Sequence, residues 1–141
     1  MDLKPQIDTE RTQNLERDYA NYPDSQLTEQ IIGGAIEVHR QLGPGFLERV
    51  YENALVHELR ARGVEVAAQH EIEVKYKNAV VGIYCCDLFV EGRVLCEIKA
   101  TAGIDPGHEA QLINYLKATG IKVGLLLNFG ASKLQIKRMI F

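Results

Sequence analysis

A single α/β domain, in which a mixed β-sheet is flanked by α-helices, is the fold that this sequence predicts. Two stretches in the first half carry apolar residues at helical spacing. In the middle of the chain, apolar and polar residues alternate with a period of two, as in β-strands. A further stretch with helical spacing precedes the last two strand-like runs. A helix between two strands supplies the long crossover that parallel strands require. With 141 residues, the chain can bury one core of sheet and helices but not two.

The composition narrows the class of protein. No apolar run approaches the length that crosses a bilayer, and the first 22 residues lack the apolar segment of a secretory signal. We therefore expect a cytoplasmic protein without a membrane partner. The net charge of -3 gives no general basic surface for nucleic acid, which counts against such a partner. It does not exclude one, because bound metal ions supply positive charge where a phosphate docks.

The N-terminal part of the chain divides into an arm and a helix. Residues 1–24 show no sustained periodicity and end in Tyr22-Pro23-Asp24, which predicts a flexible arm before a domain of residues 25–141. A first helix is predicted from Thr28 to Leu42, and Gly43-Pro44-Gly45 ends it. Its apolar residues at helical spacing are Ile31, Ile32, Ala35, Val38 and Leu42.

A second helix follows this turn. It ends at Arg62-Gly63, which provides a cationic last turn and a C-terminal glycine. Seven apolar residues at helical spacing are expected to form its buried stripe. They are Phe46, Leu47, Val50, Tyr51, Ala54, Leu55 and Leu59.

Strand-like patterns then replace the helical ones. Ile72, Val74 and Tyr76 alternate with charged residues, as in a half-exposed strand. Residues 80–90 and 93–99 form two further predicted strands. Only Glu91-Gly92 separates them, which predicts a tight antiparallel hairpin.

The C-terminal third predicts one helix and two strands. Residues 110–118 have helical spacing. The continuous apolar run over residues 123–129 is typical of a central strand, and residues 134–140 alternate as in an edge strand.

Three charged side chains on the predicted hairpin form the candidate site. Glu97 and Lys99 share one face of a strand, and Asp87 interrupts an apolar stretch of the other strand, where an uncompensated carboxylate is costly. The turn places Asp87 near Cys96 and Glu97, within the uncertainty of one bulge. Two carboxylates suit Mg²⁺ or Mn²⁺ bound to a substrate phosphate, while Lys99 orients or deprotonates the attacking water. An ordinary cross-strand ion-pair cluster explains the same spacing equally well.

Side chains from the helices can extend this cluster. Glu48 and Tyr51 are neighbours on one helix face, and Gln111 and Tyr115 are well placed to hold a phosphate or a water. Each pair also has a structural explanation, because Glu48 favours a helix N-terminus and Tyr51 fills a core, while an amide and a phenol form a surface pair. His39 is a candidate for contact with Glu48 if the turn between the first two helices reverses the chain.

Several short motifs follow one another along nearly the whole domain, from about Leu27 to Arg138. They are Val38-His39, Leu42-Gly43-Pro44-Gly45, Gly45…Glu48…Tyr51, Asp87-Leu88, Glu97-Ile98-Lys99, Gln111…Asn114-Tyr115-Leu116, Gly124-Leu125-Leu126 and Asn128-Phe129-Gly130. In this order they resemble the protein family named for its GxxExxY motif, a branch of the PD-(D/E)XK nuclease superfamily.

The resemblance implies a restriction-endonuclease-like core and a metal-dependent nuclease that hydrolyses phosphodiester bonds in nucleic acid, with DNA as the expected substrate. It implies that Mg²⁺ or Mn²⁺ is bound by Glu48, Asp87, Glu97 and the backbone carbonyl of Ile98. Lys99 resembles the catalytic lysine. The residues expected to position the substrate are Gln111, Tyr115 and Tyr51.

Two further expectations concern binding. A noncatalytic module that retains the nuclease fold and binds nucleic acid or a protein is the alternative function, and the absence of a general basic surface favours it. A homodimer is also expected, through the exposed surface of the last strand from Leu134 to Phe141.

Overall fold

The computed structural model describes residues 22–141, so all but the last three residues of the predicted arm lie outside the described part. The elements of this part are α1 (Ser25–Leu42), α2 (Glu48–Ala61), β1 (Val66–Tyr76), β2 (Ala79–Val90), β3 (Val94–Lys99), α3 (Pro106–Thr119), β4 (Val123–Asn128) and β5 (Gln135–Ile140). None of these helices combines the length and the apolar character that a membrane span needs.

The strands form one mixed sheet in the order β1-β2-β3-β4-β5. β3 and β4 pair in parallel, and the other neighbours pair antiparallel. The parallel pair is possible because α3 carries the chain back across the sheet between its two strands. The predicted mixed α/β fold is therefore confirmed.

Helices cover both faces of the sheet. Along β3, Val94, Cys96 and Ile98 pack into the core formed with α1 and α2, whereas Leu95 packs into a second core beneath α3. This alternation follows from the period of two along a strand. The face that Leu95 shares with Glu97 and Lys99 is therefore the α3 face, in the middle of the sheet.

The buried stripe of α2 is shorter than the sequence predicts. Tyr51, Leu55 and Leu59 are fully buried, but Phe46, Leu47 and Val50 are 49%, 80% and 38% exposed. Phe46 and Leu47 precede the first helical residue, Glu48, so helical spacing does not govern where their side chains lie. The apolar residues at this end of α2 form an exposed patch instead of core.

The turn between β2 and β3 contains one residue more than predicted. Glu91 and Gly92 have φ of 52° and 63°, as a type I′ turn requires, and the Arg93 N–H donates to the Val90 carbonyl over 2.9 Å. The first strand pair is nevertheless Val90 with Val94, so Arg93 is accommodated as an extra residue.

The outer part of the β1–β2 hairpin leaves the sheet. β2 pairs with β1 along almost its whole length, but its pairing with β3 covers only the three residues Leu88–Val90. At the point of separation Gln69 has a left-handed φ of 55°. Leu88 packs towards α1 and α2, whereas Cys86 packs towards α3. The hairpin therefore reverses its faces at Asp87, where β2 departs from β3.

Candidate active site

Asp87 and Glu97 lie opposite each other where β2 and β3 separate, because Leu88 and Cys96 form the last strand pair before them. The Asp87 N–H donates to Glu97 Oε1 over 3.0 Å, and the Ile98 N–H donates to Asp87 Oδ2 over 2.7 Å. The two carboxylates thus take the place of the backbone acceptors that a continued ladder would provide. The structure brings the two predicted carboxylates together.

Burial dominates the electrostatics of this pair. It raises the pKa of Glu97 to about 7, with the charge of Asp87 as the second cause. Burial likewise raises the pKa of Asp87, against the hydrogen bond from Ile98 N–H and the charge of Lys99, which lower it. Glu97 is only 4% exposed, so water compensates its charge poorly.

Lys99 lies on the same strand face as Glu97, two residues further along β3. Its Nζ is 4.0 Å from Glu97 Oε2, at the outer limit of an ion pair, and its side chain is 17% exposed. At this distance the ammonium of Lys99 compensates the charge of Glu97 only in part. The ammonium therefore keeps N–H donors for a solvent molecule or a substrate oxygen.

A third carboxylate, Glu52 of α2, reaches this region from the other side. Glu52 is 4% exposed, and its Oε1 accepts a hydrogen bond from Gln69 Nε2. Burial raises the pKa of Glu52, the Gln69 hydrogen bond lowers it, and the Asp87 charge raises it. The Gln69 side chain in turn lowers the pKa of Asp87, and its Oε1 accepts from the Cys85 thiol over 3.2 Å. Gln69 therefore links Glu52 to Asp87.

Glu52 and Gln69 are absent from the sites that the sequence predicts. One signal was available, since Glu52 follows Glu48 by four residues and interrupts the apolar stripe of α2. Gln69 gave no signal, because its position depends on a left-handed backbone in the middle of a strand.

Glu48 does not join the carboxylate pair directly. It is exposed in the first turn of α2, and its side chain makes no hydrogen bond or ion pair with the described residues. Its charge contributes to the raised pKa of Glu52. A role for Glu48 as a metal ligand stays a prediction.

On the α3 side, Gln111 and Tyr115 meet as predicted. Gln111 Nε2 donates to the Tyr115 hydroxyl over 2.9 Å. Burial raises the pKa of Tyr115 to about 12, with the charge of Glu97 as the second cause. The charge of Glu97 therefore acts on Tyr115, and a role for Gln111 and Tyr115 in positioning substrate stays a prediction.

Two other predicted site residues have structural partners instead. Tyr51 is fully buried, and its hydroxyl donates to the Gly43 carbonyl over 2.6 Å and accepts from the Phe46 N–H over 3.1 Å. It thus holds the loop before α2, in place of the predicted contact with substrate. His39 Nε2 lies 3.0 Å from the carbonyl of Ala131 and joins α1 to the loop after β4.

The loop after Lys99 is held by Asn128, which belongs to the motif Asn128-Phe129-Gly130 but to which the sequence assigned no role. The fully buried amide accepts from the N–H groups of Thr101 and Gly130 and donates to the carbonyl of Thr101. A Cβ on Gly130 would lie 2.3 Å from backbone atoms of Thr101, so only glycine fits. These contacts set the path of the chain that follows Lys99.

The donor set fits a hard divalent cation. The buried carboxylate of Glu97 faces the half-buried carboxylate of Asp87, with one ammonium 4.0 Å from Glu97, so the negative charge is only partly compensated. Within residues 22–141, no group of three or more His, Cys, Asp or Glu side chains is arranged to hold a metal ion. Two carboxylates still suffice for Mg²⁺, which commonly keeps several waters and uses one or two protein carboxylates.

Comparisons with known proteins agree with this fold. A family model described as the PD-(D/E)XK nuclease superfamily matches residues 25–139. No curated protein matches the chain. A solved structure described as "Crystal structure of SSO0001" superposes with a TM-score of 0.52 at 16% identity and covers 87% of this chain. This chain spans 61% of that structure, and the likeness shows a shared fold. An alkaline exonuclease from Laribacter hongkongensis superposes with a TM-score of 0.49 at 12% identity, over 89% of this chain and 74% of that one.

Proposed function

This chain belongs to the PD-(D/E)XK nuclease superfamily, and from this premise we propose that it hydrolyses phosphodiester bonds of nucleic acid, with DNA as the substrate, in a reaction that depends on Mg²⁺ or Mn²⁺. The observation that carries the proposal is the facing pair of Asp87 and Glu97, with Lys99 beside it. Placing the buried Glu97 carboxylate against the half-buried Asp87 carboxylate is costly if the cluster is only structural, because a single ammonium 4.0 Å from Glu97 offsets little of the repulsion.

Asp87 and Glu97 would hold the metal ion, and the carbonyl of Ile98 is the expected additional protein ligand. When bound, such an ion lowers the pKa of a coordinated water and stabilises charge on the phosphate oxygens. The two carboxylates are oriented by backbone N–H groups of the opposite strand, so they are fixed before any ligand binds.

Lys99 is the residue that we assign to the chemistry itself. Its ammonium can hold the attacking water in place or stabilise the negative charge that develops on the phosphate. Gln111 and Tyr115 are placed to position the phosphate from the α3 side, since their mutual hydrogen bond fixes both polar groups near Glu97. Glu48 stays a proposed contributor from the first turn of α2.

Glu52 and Gln69 are proposed as positioning residues. Glu52 fixes the Gln69 amide, and Gln69 acts on the Asp87 carboxylate. The contacts from Glu52 through Gln69 to Asp87 connect α2 to the strand pair at the point where β2 leaves β3. A shift of α2 would therefore move the Asp87 carboxylate.

The alternative function is a noncatalytic module that binds nucleic acid or a protein partner. The net charge of -3 favours the protein-binding form of this module, because the nonspecific binding of nucleic acid relies on cationic surface. The two functions differ in turnover and in their dependence on metal ions.

Cleavage assays with single- and double-stranded DNA and RNA test the proposal, each with Mg²⁺, Mn²⁺ or a chelator. We expect metal-dependent cleavage by the native protein and a loss of about 100-fold or more in Lys99→Ala, since acid–base groups contribute at least that much. Lys133→Ala, which removes an exposed lysine in the loop after β4, is the matched control and should cleave normally.

The outcomes separate the two functions. Cleavage that survives both Lys99→Ala and Asp87→Ala would contradict the assigned site. Binding of nucleic acid without cleavage under any metal condition would support the noncatalytic module.

A further inference from the structure

β1 forms one of the two edges of the sheet, and its outer side has no strand partner in the described part of the chain. It is 11 residues long, with the run Glu-Ile-Glu-Val-Lys-Tyr over residues 71–76 at its outer end. Lys77 follows the strand and begins the turn to β2 with a left-handed φ of 49°. A long edge strand exposes a row of unpaired backbone N–H and C=O groups, which pairs readily with another strand.

The charges of this run are complementary to themselves. Two glutamates precede Val74, and two lysines follow it. If a second copy of β1 lies antiparallel with Val74 at the centre, Glu73 of each copy faces Lys75 of the other. Lys77, the first residue after the strand, follows Tyr76 and adds a positive charge at the strand end next to Glu71 of the other copy. All four charged side chains are exposed and thus available for such pairs. Edge charges usually prevent pairing, but that protection requires like charges to meet, and here opposite charges meet.

The same register brings apolar surfaces together. Ile72, Val74 and Tyr76 share the α3 face of β1, on which Ile72 is buried and Tyr76 is 64% exposed. A groove of about 680 Å³ runs between β1 and the end of α3. Its lining includes Ile72, Val74, Lys117, Ala118 and Ile121. Antiparallel pairing about Val74 sets Tyr76 of one copy beside Ile72 of the other, at this groove.

The opposite edge of the sheet is less suited to self-association. β5 carries Lys137 and Arg138 in its middle. Antiparallel pairing of two β5 strands near their centre would bring these cations together, which is unfavourable, and Glu109, 3.7 Å from Lys137 Nζ, offsets only part of this repulsion. Charge complementarity therefore distinguishes β1 from β5, the strand that the sequence alone suggested for a dimer.

We propose that two copies of this protein associate through antiparallel pairing of their β1 strands about Val74, which joins both sheets into one. The pairing is isologous, since each copy supplies the same glutamates and lysines, and it closes after two copies. The dimer does not depend on the proposed nuclease activity.

Light scattering coupled to gel filtration tests the proposal over a range of protein concentrations. The native chain should have close to twice the mass of 15.8 kDa. The double variants Glu71→Lys/Glu73→Lys and Lys75→Glu/Lys77→Glu should each be monomeric, because the two cross-strand pairs of residues 73 and 75 and the charges at both strand ends become repulsive. An equimolar mixture of the two should form a dimer of one copy each. The variant with all four substitutions should again form a homodimer, since its charges are complementary once more.

A single substitution outside the edge serves as the control. Glu29→Lys changes the charge at an exposed position of α1 and should leave the native dimer intact. Circular dichroism spectra identical to the native spectrum would show that all variants fold. A monomeric native protein at every concentration would overturn the proposal. So would a dimer whose mass is unchanged in both double variants, or a failure of the mixture and of the fourfold variant to restore the dimer.

Discussion

Glu97 is expected to make the metal-free protein less stable as the pH rises. Its pKa is raised from 4.5 to about 7, first by burial and second by the Asp87 charge. Between these pH values the folded protein keeps a proton that the unfolded chain releases. The unfolded state binds fewer protons, so the free energy of unfolding decreases with increasing pH. The span from 4.5 to about 7 corresponds to a loss of about 3 kcal/mol.

Urea unfolding in the presence of a chelator, at intervals from pH 4.5 to 8, measures this loss. The variant Glu97→Gln lacks the carboxyl group that titrates. Its free energy of unfolding should therefore fall by about 3 kcal/mol less than that of the native protein over this pH range. A remaining decrease is expected from Asp87 and Glu52, because burial raises the pKa of both. Glu29→Gln, at an exposed position of α1, is the control and should follow the native curve.

Two results would refute this reasoning. If Glu97→Gln lost as much stability between pH 4.5 and 7 as the native protein, Glu97 would not be the group that titrates. If stability increased over this interval in the native protein, the carboxylates would be better compensated than their burial indicates. Added Mn²⁺ at pH 7.5 should stabilise the native protein and have a much smaller effect on Glu97→Gln, because the ion needs the ionised pair.

The remaining predictions concern residues around the carboxylate pair. Tyr51→Phe should lower the free energy of unfolding by about 1–3 kcal/mol in urea, because the Gly43 carbonyl and the Phe46 N–H lose their partner, while cleavage by the folded protein is retained. Gly130→Ala should reduce both thermal stability and cleavage, because its Cβ collides with the backbone of Thr101, whereas Gly103→Ala has open space and should behave as native in both assays. Gln69→Ala should weaken Mn²⁺ binding measured by calorimetry by about 10-fold or more, as loss of an outer partner of a metal ligand does, and the exposed control Gln26→Ala should bind normally. An unchanged affinity in Gln69→Ala would remove its positioning role.

Several features of the fold could be predicted from local patterns. The period of two along β3 placed Glu97 and Lys99 on one face and Val94, Cys96 and Ile98 on the other, as the structure has them. Alternation suffices here because a central strand is covered on both faces and its side chains have only two directions. Helical spacing likewise predicted α1 and the buried part of α2.

The position of Asp87 opposite Glu97 could not be predicted from the sequence without knowing the register of the β2–β3 hairpin. The two-residue turn alone left the register uncertain by one bulge, and Arg93 turned out to be the extra residue. Accommodating one residue in this way costs little and leaves no clear mark in the sequence, so the register is decided by packing of the strands on both sides.

The sequence by itself determined the α/β class, the element order and the presence of a strand pair carrying Asp87, Glu97 and Lys99, because these depend on contacts close along the chain. Only the tertiary structure decided that Glu52, and not Glu48, reaches Asp87 through Gln69, and that Tyr51 holds a loop. The reason is physical. Local periodicity defines which side chains share a face, whereas the partner across a helix–sheet contact depends on how distant segments pack, and here on the left-handed turn of the backbone at Gln69.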